Sequence, residues 1–167
     1  SLDRLETLDG YRQDFMDAAL WRPFVSRVCR ENGWSCSQVR PGLAGTFPTF
    51  IVDESRIIKF FGPPFDGPTC FQVEQETAGI VSGMDIPTAR LLASGRLAET
   101  PGWKYLIFEY IPGNSIGEVR VWLPESEWLE LARRMGTWVN RMHRAAIPAG
   151  SPLPQLDKTI MQRWFEA

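Results

Sequence analysis

This 167-residue chain is short of the residues on which several kinds of chemistry depend. It has one histidine, His143, and three cysteines, Cys29, Cys36 and Cys70, with no Cys-x-x-Cys pair. An odd, scattered set of thiols and a lone imidazole supply neither a zinc site nor a disulfide framework, which leaves a soluble, reducing, cytoplasmic setting as the expectation. Charge of one sign is not in excess. Eighteen basic residues face twenty acidic ones, for a net charge of −2. The chain therefore lacks the electrostatic footprint for nucleic acid or an anionic membrane surface. No apolar run approaches the roughly 20 residues needed to span a bilayer. The segment from Ser1 lacks the basic, apolar and small-residue regions of a secretory signal. Internal repeats and low-complexity tracts are missing too. So are the Gly-x-x-x-x-Gly-Lys-Ser/Thr phosphate loop, the His-Glu-x-x-His zinc helix and the Gly-x-Ser-x-Gly nucleophile turn.

What the chain does have is apolar patterning. At 44% hydrophobic it can bury a core, enough for one or two small domains. Phe15, Ala18, Ala19, Val25 and Val28 recur at helical spacing over residues 11–32, and Pro23 is expected to divide the stretch into two helices. Arg40-Pro41-Gly42 and Ala44-Gly45 read as a flexible turn. A strand over 46–52 follows, then a hairpin turn at Asp53-Glu54-Ser55 and a strand over 57–61. Gly62-Pro63-Pro64 ends that strand, and Asp66-Gly67-Pro68 continues the loop. The next helix is expected at 69–82, weakened by Gly79 and Gly83. Strands at 89–93 and 103–111 follow, separated by a turn region over 95–102. Beyond Gly113 the texture is helical. Pro124, Glu125 and Glu127 open a helix whose seam is Trp128, Leu131, Ala132, Met135, Val139 and Met142. Arg141, His143 and Arg144 suit its negative end, and Pro148 with Gly150 stops it. A last helical piece is expected at 156–165. The implied architecture is α+β: N-terminal helices over 1–35, a lobe with a five-stranded antiparallel sheet and one helix over 36–113, and the start of a helical second lobe over 114–167.

The residues that carry chemistry begin with Lys59, one of three lysines among the eighteen basic residues, placed after Ile57-Ile58 in an apolar strand. An ammonium there must reach solvent along its alkyl stem, find a carboxylate, or meet a ligand phosphate. Glu74 lies fifteen positions later on the next helix, with Glu76 beside it as a second candidate partner. A strand lysine held by a helix glutamate is the phosphate-binding pair of kinases. The third element is Phe108-Glu109-Tyr110-Ile111-Pro112-Gly113. A buried strand that runs out into Pro-Gly leaves backbone donors and acceptors unpaired at its end. An adenine ring can use that edge, through its exocyclic amine and a ring nitrogen.

Taken in order, these segments resemble the aminoglycoside-phosphotransferase family, within the protein-kinase-like superfamily, from about Gly42 to His143. Gly45-Thr46-Phe47-Pro48-Thr49-Phe50-Ile51-Val52 is similar to the family's nucleotide-covering loop and second strand, although poorer in glycine than a kinase loop. Ile57-Ile58-Lys59-Phe60-Phe61-Gly62 resembles its lysine strand. Phe71-x-x-Glu74 followed by Ile86-Pro87 resembles its glutamate helix and the opening of its fourth strand, a spacing that favours Glu74 over Glu76. Residues 131–143 resemble the helix before the catalytic loop. The resemblance implies an ATP- or GTP-binding lobe. In it Gly45 and Thr46 cover the nucleotide, Lys59 and Glu74 serve the phosphates, and Phe108 stands behind the base. The Glu109 carbonyl accepts from the base and the Ile111 amide donates to it.

Phosphoryl transfer in that superfamily also needs an aspartate at the acceptor hydroxyl and an acidic ligand for Mg²⁺. After His143 the only aspartate is Asp157, without the His-Gly context the family uses, and it reads as a helix cap. His143 itself reads as a helix-terminal residue, and the seven tryptophans need no cofactor, Trp128 and Trp138 standing on or beside a helix seam where core packing accounts for them. No catalytic residue and no metal ligand is therefore assigned in this chain, and Mg²⁺ is expected only in a longer protein. Two functions follow. One is the nucleotide-binding part of a small-molecule phosphotransferase, inactive alone, whose small hydroxylated acceptor is bound elsewhere. The alternative is a non-catalytic nucleotide-binding or protein-interaction module on the same lobe.

Overall fold

The alternation of side chains along a strand gives a sheet two faces, and here both are covered. The computed structural model describes residues 2–43, 45–100 and 102–153; the helical piece expected at 156–165, with Asp157, lies outside them. A 3₁₀ turn, Leu2–Glu6, leads into helices α1 (Leu8–Asp14) and α2 (Ala18–Glu31). Strands β1 (Val39–Pro41), β2 (Thr49–Val52) and β3 (Arg56–Phe61) precede helix α3 (Gly67–Ser82). Strands β4 (Leu91–Arg96) and β5 (Lys104–Glu109) complete the sheet. The short helix α4 (Ile116–Val119) and the long α5 (Glu125–His143) follow. The sheet is five-stranded and antiparallel throughout, as the sequence pattern predicts, and its spatial order is β1-β2-β3-β5-β4.

On one face Phe50, Val52, Ile58, Phe60, Tyr105 and Ile107 meet Trp21, Val25, Val28 and Cys29 of α2, which recur every three to four residues on one side of that helix. Trp21 is the hub. Its ring stacks on Phe60 at 4.5 Å and meets Trp103 edge-on at 5.1 Å. On the other face Phe61 and Leu106 meet Phe71 of α3 and Phe47 from the β1–β2 loop. The N-terminal helices thus share the sheet's core.

Three local expectations are corrected. Pro23 does not divide the N-terminal helices; the break falls between Asp14 and Ala18, where Asp17 caps α2 by accepting from the Ala19 amide at 2.8 Å. Pro23 sits inside α2 on its exposed side. The carbonyl that loses its partner, on exposed Ala19, is open to water while the opposite side stays buried. Arg40-Pro41 is not a flexible turn but edge strand β1, where a proline costs no essential ladder bond. Gly95 lies within β4 rather than in a turn, because a Cβ there would come 2.4 Å from the hydroxyl of the paired Tyr105. The remaining strand expectations shift by a few residues: 46–52 contracts to β2, 89–93 moves to β4, and 103–111 contracts to β5.

The β2–β3 hairpin turns at Asp53 and Glu54, both left-handed at φ 48° and 46°. The Asp53 carboxylate offsets that strain by tying the turn to the chain entering β1. It accepts from the amides of Gln38 at 2.7 Å and Ser37 at 2.9 Å and from the Ser35 hydroxyl at 3.2 Å. These donors, the Gln38 amide foremost, hold the Asp53 carboxyl below the ordinary aspartate range. A depressed carboxyl stabilises the fold above its unfolded-state value, near 4, and loses that contribution as the pH falls through its folded-state value. Asp53→Ala is therefore expected to lower the midpoint of urea unfolding at pH 7, with the gap to the parent closing below about pH 4. A gap of constant size across that range would contradict the role given to the carboxylate.

Candidate functional site

Lys59 is the one charged side chain that β3 sends to the α3 face, in line with Ile57 and Phe61 and opposite Leu106 of β5. Its ammonium lies 5.7 Å from the centre of the Phe47 ring and 5.2 Å from that of Phe61. Those ring faces attract a cation but cannot replace its hydration. Glu74, on the side of α3 that faces the sheet, supplies the counter-charge: Lys59 Nζ to Glu74 Oε2 is 2.5 Å. Glu76 is turned elsewhere, onto a surface hollow with Gln75 and Pro148. Of the two glutamates that sequence spacing offers, the fold brings Glu74 to the lysine.

Two hollows open on this face. One, about 640 Å³, runs between the β1–β2 region and the segment after β5. Ile51 and Ile57 form its apolar wall, Gly42 and Leu43 its upper rim, and Tyr110 and Ile111 its far side. The other, about 540 Å³, lies between β5 and α3 and is lined almost wholly by apolar groups, including Phe47, Val73, Val81, Phe108 and Met142, with Glu74 at its edge. Burial pushes the Cys70 thiol in that second wall up, so it stays protonated at neutral pH and lines the cavity as an apolar group. Lys59 stands between the two, two residues along β3 from Ile57 and paired with a glutamate that lines the cavity. The first hollow combines the aliphatic walls of Ile51 and Ile57 with the polar side chains of Thr49, Asn114 and Ser115.

The other residues singled out in the sequence divide between these places. Ile111 lines the cleft and Phe108 the apolar cavity. The Glu109 side chain is exposed, 3.7 Å from Arg90. Thr46 turns its carbonyl toward the N-terminal helices, and Gly45 has open space around it. The sequence reading gives no site role to Arg40 or Tyr110. Arg40 grips Glu54 through two bonds, at 2.5 and 2.7 Å, and donates to the Tyr110 hydroxyl at 3.2 Å. This holds the Tyr110 side chain at the cleft wall. The available signal was an arginine and a glutamate fourteen positions apart across a hairpin, visible only once β1 is recognised as a strand.

Among the described residues no group of three or more His, Cys, Asp or Glu side chains is placed to hold a metal ion, and no helix is long and apolar enough to cross a membrane. Helix α5 leaves Met135, Val139 and Met142 between 42% and 46% exposed, so its apolar seam is open. Arg141 ties α5 back to the first lobe by donating to Asp85 Oδ2 at 2.6 Å.

The Lys59 and Glu74 side chains are 27% and 34% exposed, between a surface pair and a buried one. A double-mutant cycle with Lys59→Met and Glu74→Gln is expected to give a coupling of about 1 kcal/mol in low salt, shrinking as salt is added. Zero coupling in thermal unfolding would mean the two charges are neighbours without being a unit.

No protein-family model matches this chain. Among solved structures, it is similar to a GDP complex of an aminoglycoside 2'-phosphotransferase-IIIa mutant, with a TM-score of 0.61 at 12% sequence identity. The likeness covers 74% of this chain and 40% of the other, so it spans less than half of that protein's length. At this identity the likeness is one of fold: the five-stranded lobe and its helix are those of a kinase-like N-terminal lobe.

Proposed function

We propose that this chain is the nucleotide-binding part of an ATP- or GTP-dependent phosphotransferase acting on a small hydroxylated molecule. The observation that carries the reading is the Lys59–Glu74 pair, set on the sheet face beside a cleft that ends at a Pro-Gly segment. The similar structure is a GDP complex, which supports a nucleotide as the occupant. In this reading Ile51 and Ile57 pack on the base, and the Glu109 carbonyl and Ile111 amide pair with its edge. Phe108 closes the space behind the base, and Lys59, oriented by Glu74, meets the phosphates. Gly45 and Thr46 belong to the loop above them, and Glu76 is left without a part. The bound nucleotide supplies the phosphoryl group. The lobe binds and orients it, and Pro112-Gly113 marks the passage to a second, helical lobe.

The acceptor, its aspartate and the Mg²⁺ ligands are assigned to neither the cleft nor the cavity. Among the described residues no group of three or more His, Cys, Asp or Glu side chains is placed to hold a metal ion. Positioning of the nucleotide alone leaves the acceptor hydroxyl unactivated, and loss of such groups costs several orders of magnitude in rate.

Two measurements check this. Calorimetry should show Lys59→Ala weakening triphosphate binding about tenfold or more, while nucleoside binding changes little, because the mutation removes a charge contact and leaves the cleft intact. Equal losses for both ligands would point to damage to the fold. The 167-residue chain with labelled ATP or GTP and a panel of small alcohols should give no turnover. Turnover would overturn the division of labour proposed here. Nucleotide binding that no longer form of the protein converts into transfer would favour the non-catalytic module.

A further inference from the structure

The loop between β1 and β2 is held from outside the lobe. Helix α1 is capped by Thr7, whose hydroxyl accepts from the Gly10 amide at 3.2 Å. It lies so close to the preceding 3₁₀ turn that a Cβ on Gly10 would come 1.9 Å from the Arg4 carbonyl oxygen. Leu2 and Leu5 of that turn are buried, and Arg4 is paired with Asp14 at the far end of α1. The helix is short but anchored at both ends. From it Tyr11, 3% exposed, stacks on Phe15 at 5.2 Å and meets the Phe65 ring edge-on at 5.2 Å. Its hydroxyl then donates to the Thr46 carbonyl at 2.7 Å, across 35 residues of sequence.

That acceptor lies one residue before Phe47, whose ring sits 5.7 Å from the Lys59 ammonium and 4.9 Å from the Phe61 ring. The Thr46–Phe47 peptide is trans, so with its carbonyl fixed toward Tyr11 the Phe47 N–H points the opposite way within the peptide plane. Beyond this bond the exposed tip has few restraints, since a Cβ on Gly45 would touch nothing within 4 Å, whereas Phe47 is also held by its ring against Phe61. Burial pushes the Tyr11 phenol well above its ordinary range, so it remains a donor at any physiological pH.

We infer that Tyr11 is a positioning residue for the phosphate-binding end of the site, its hydroxyl clamping the β1–β2 loop over Lys59. This deepens the reading of the cleft as a nucleotide site and names the triphosphate end as the part that depends on the N-terminal helices. Tyr11→Phe keeps the ring and its packing and removes only the donor. The test combines ¹⁵N relaxation of the ligand-free protein with calorimetry. In Tyr11→Phe the backbone order parameters of Gly45 and Thr46 should fall from the rigid range near 0.8 to below about 0.6, with those of β2 and β3 unchanged. Triphosphate affinity should drop about fivefold, the equivalent of one ordinary hydrogen bond, and nucleoside affinity should hold. Unchanged order parameters in the loop would overturn the clamp. A uniform fall across the sheet, or equal losses for nucleoside and triphosphate, would overturn it by showing a merely structural role. If the parent protein binds no nucleotide at all, the functional reading fails, and the relaxation result still decides whether Tyr11 holds the loop.

Discussion

One ammonium placed among aromatic rings dictates much of this lobe. Lys59 cannot leave the α3 face of the sheet without shifting the register of β3, and such a shift would turn Ile58 and Phe60 out of the core that α2 covers. It must therefore be satisfied where it is. Phe47 and Phe61 flank it and Glu74 neutralises it, which fixes where α3 crosses the sheet and where the β1–β2 loop comes down. A charge held this way is only partly hydrated, and an anionic ligand can still reach it.

The two faces of the sheet divide the labour. The α2 face is closed by a continuous aromatic and aliphatic core around Trp21 and gives rigidity. The α3 face is less completely filled and carries both hollows. Local strain gathers around it: Asp53 and Glu54 at the hairpin tip, and Phe65 and Asp66 before α3, all adopt left-handed conformations without being glycine. Each pair is tied down by side chains, Asp53 by the amides ahead of β1 and Asp66 by the Thr69 hydroxyl at 2.9 Å. Strain of this kind persists where surrounding contacts over-determine it.

Much of this was legible in the chain because local pattern and tertiary demand agree. The apolar runs at 57–61 and 103–111, the turn at Asp53-Glu54 and the seam of α5 all appear where periodicity places them. The failures have a common cause. Pro23, Arg40-Pro41 and Gly95 read as breakers because their local propensities are poor, but each serves a tertiary need: a helix held by its opposite side, an edge strand that needs no donor, and room for the Tyr105 ring. Of the candidate site, Lys59 and Glu74 were recoverable from order and spacing. Tyr11, Arg40 and Tyr110 were not: Tyr11 reaches 35 residues to its acceptor and Arg40 reaches 70 to Tyr110, and Arg40 meets Glu54 only because β1 is a strand.

The central claim is that the cleft beside Lys59, rather than the apolar cavity between β5 and α3, receives a purine nucleotide. An amide chemical-shift map during titration with GTP and with ATP addresses this directly. The account predicts the largest perturbations at Ile111 and Gly42, extending to Ile51 and Ile57 along the cleft wall, for at least one of the two nucleotides. Perturbations centred on Val73, Val81 and Ala89 around the α3 cavity, or none with either nucleotide at millimolar concentration, would contradict it.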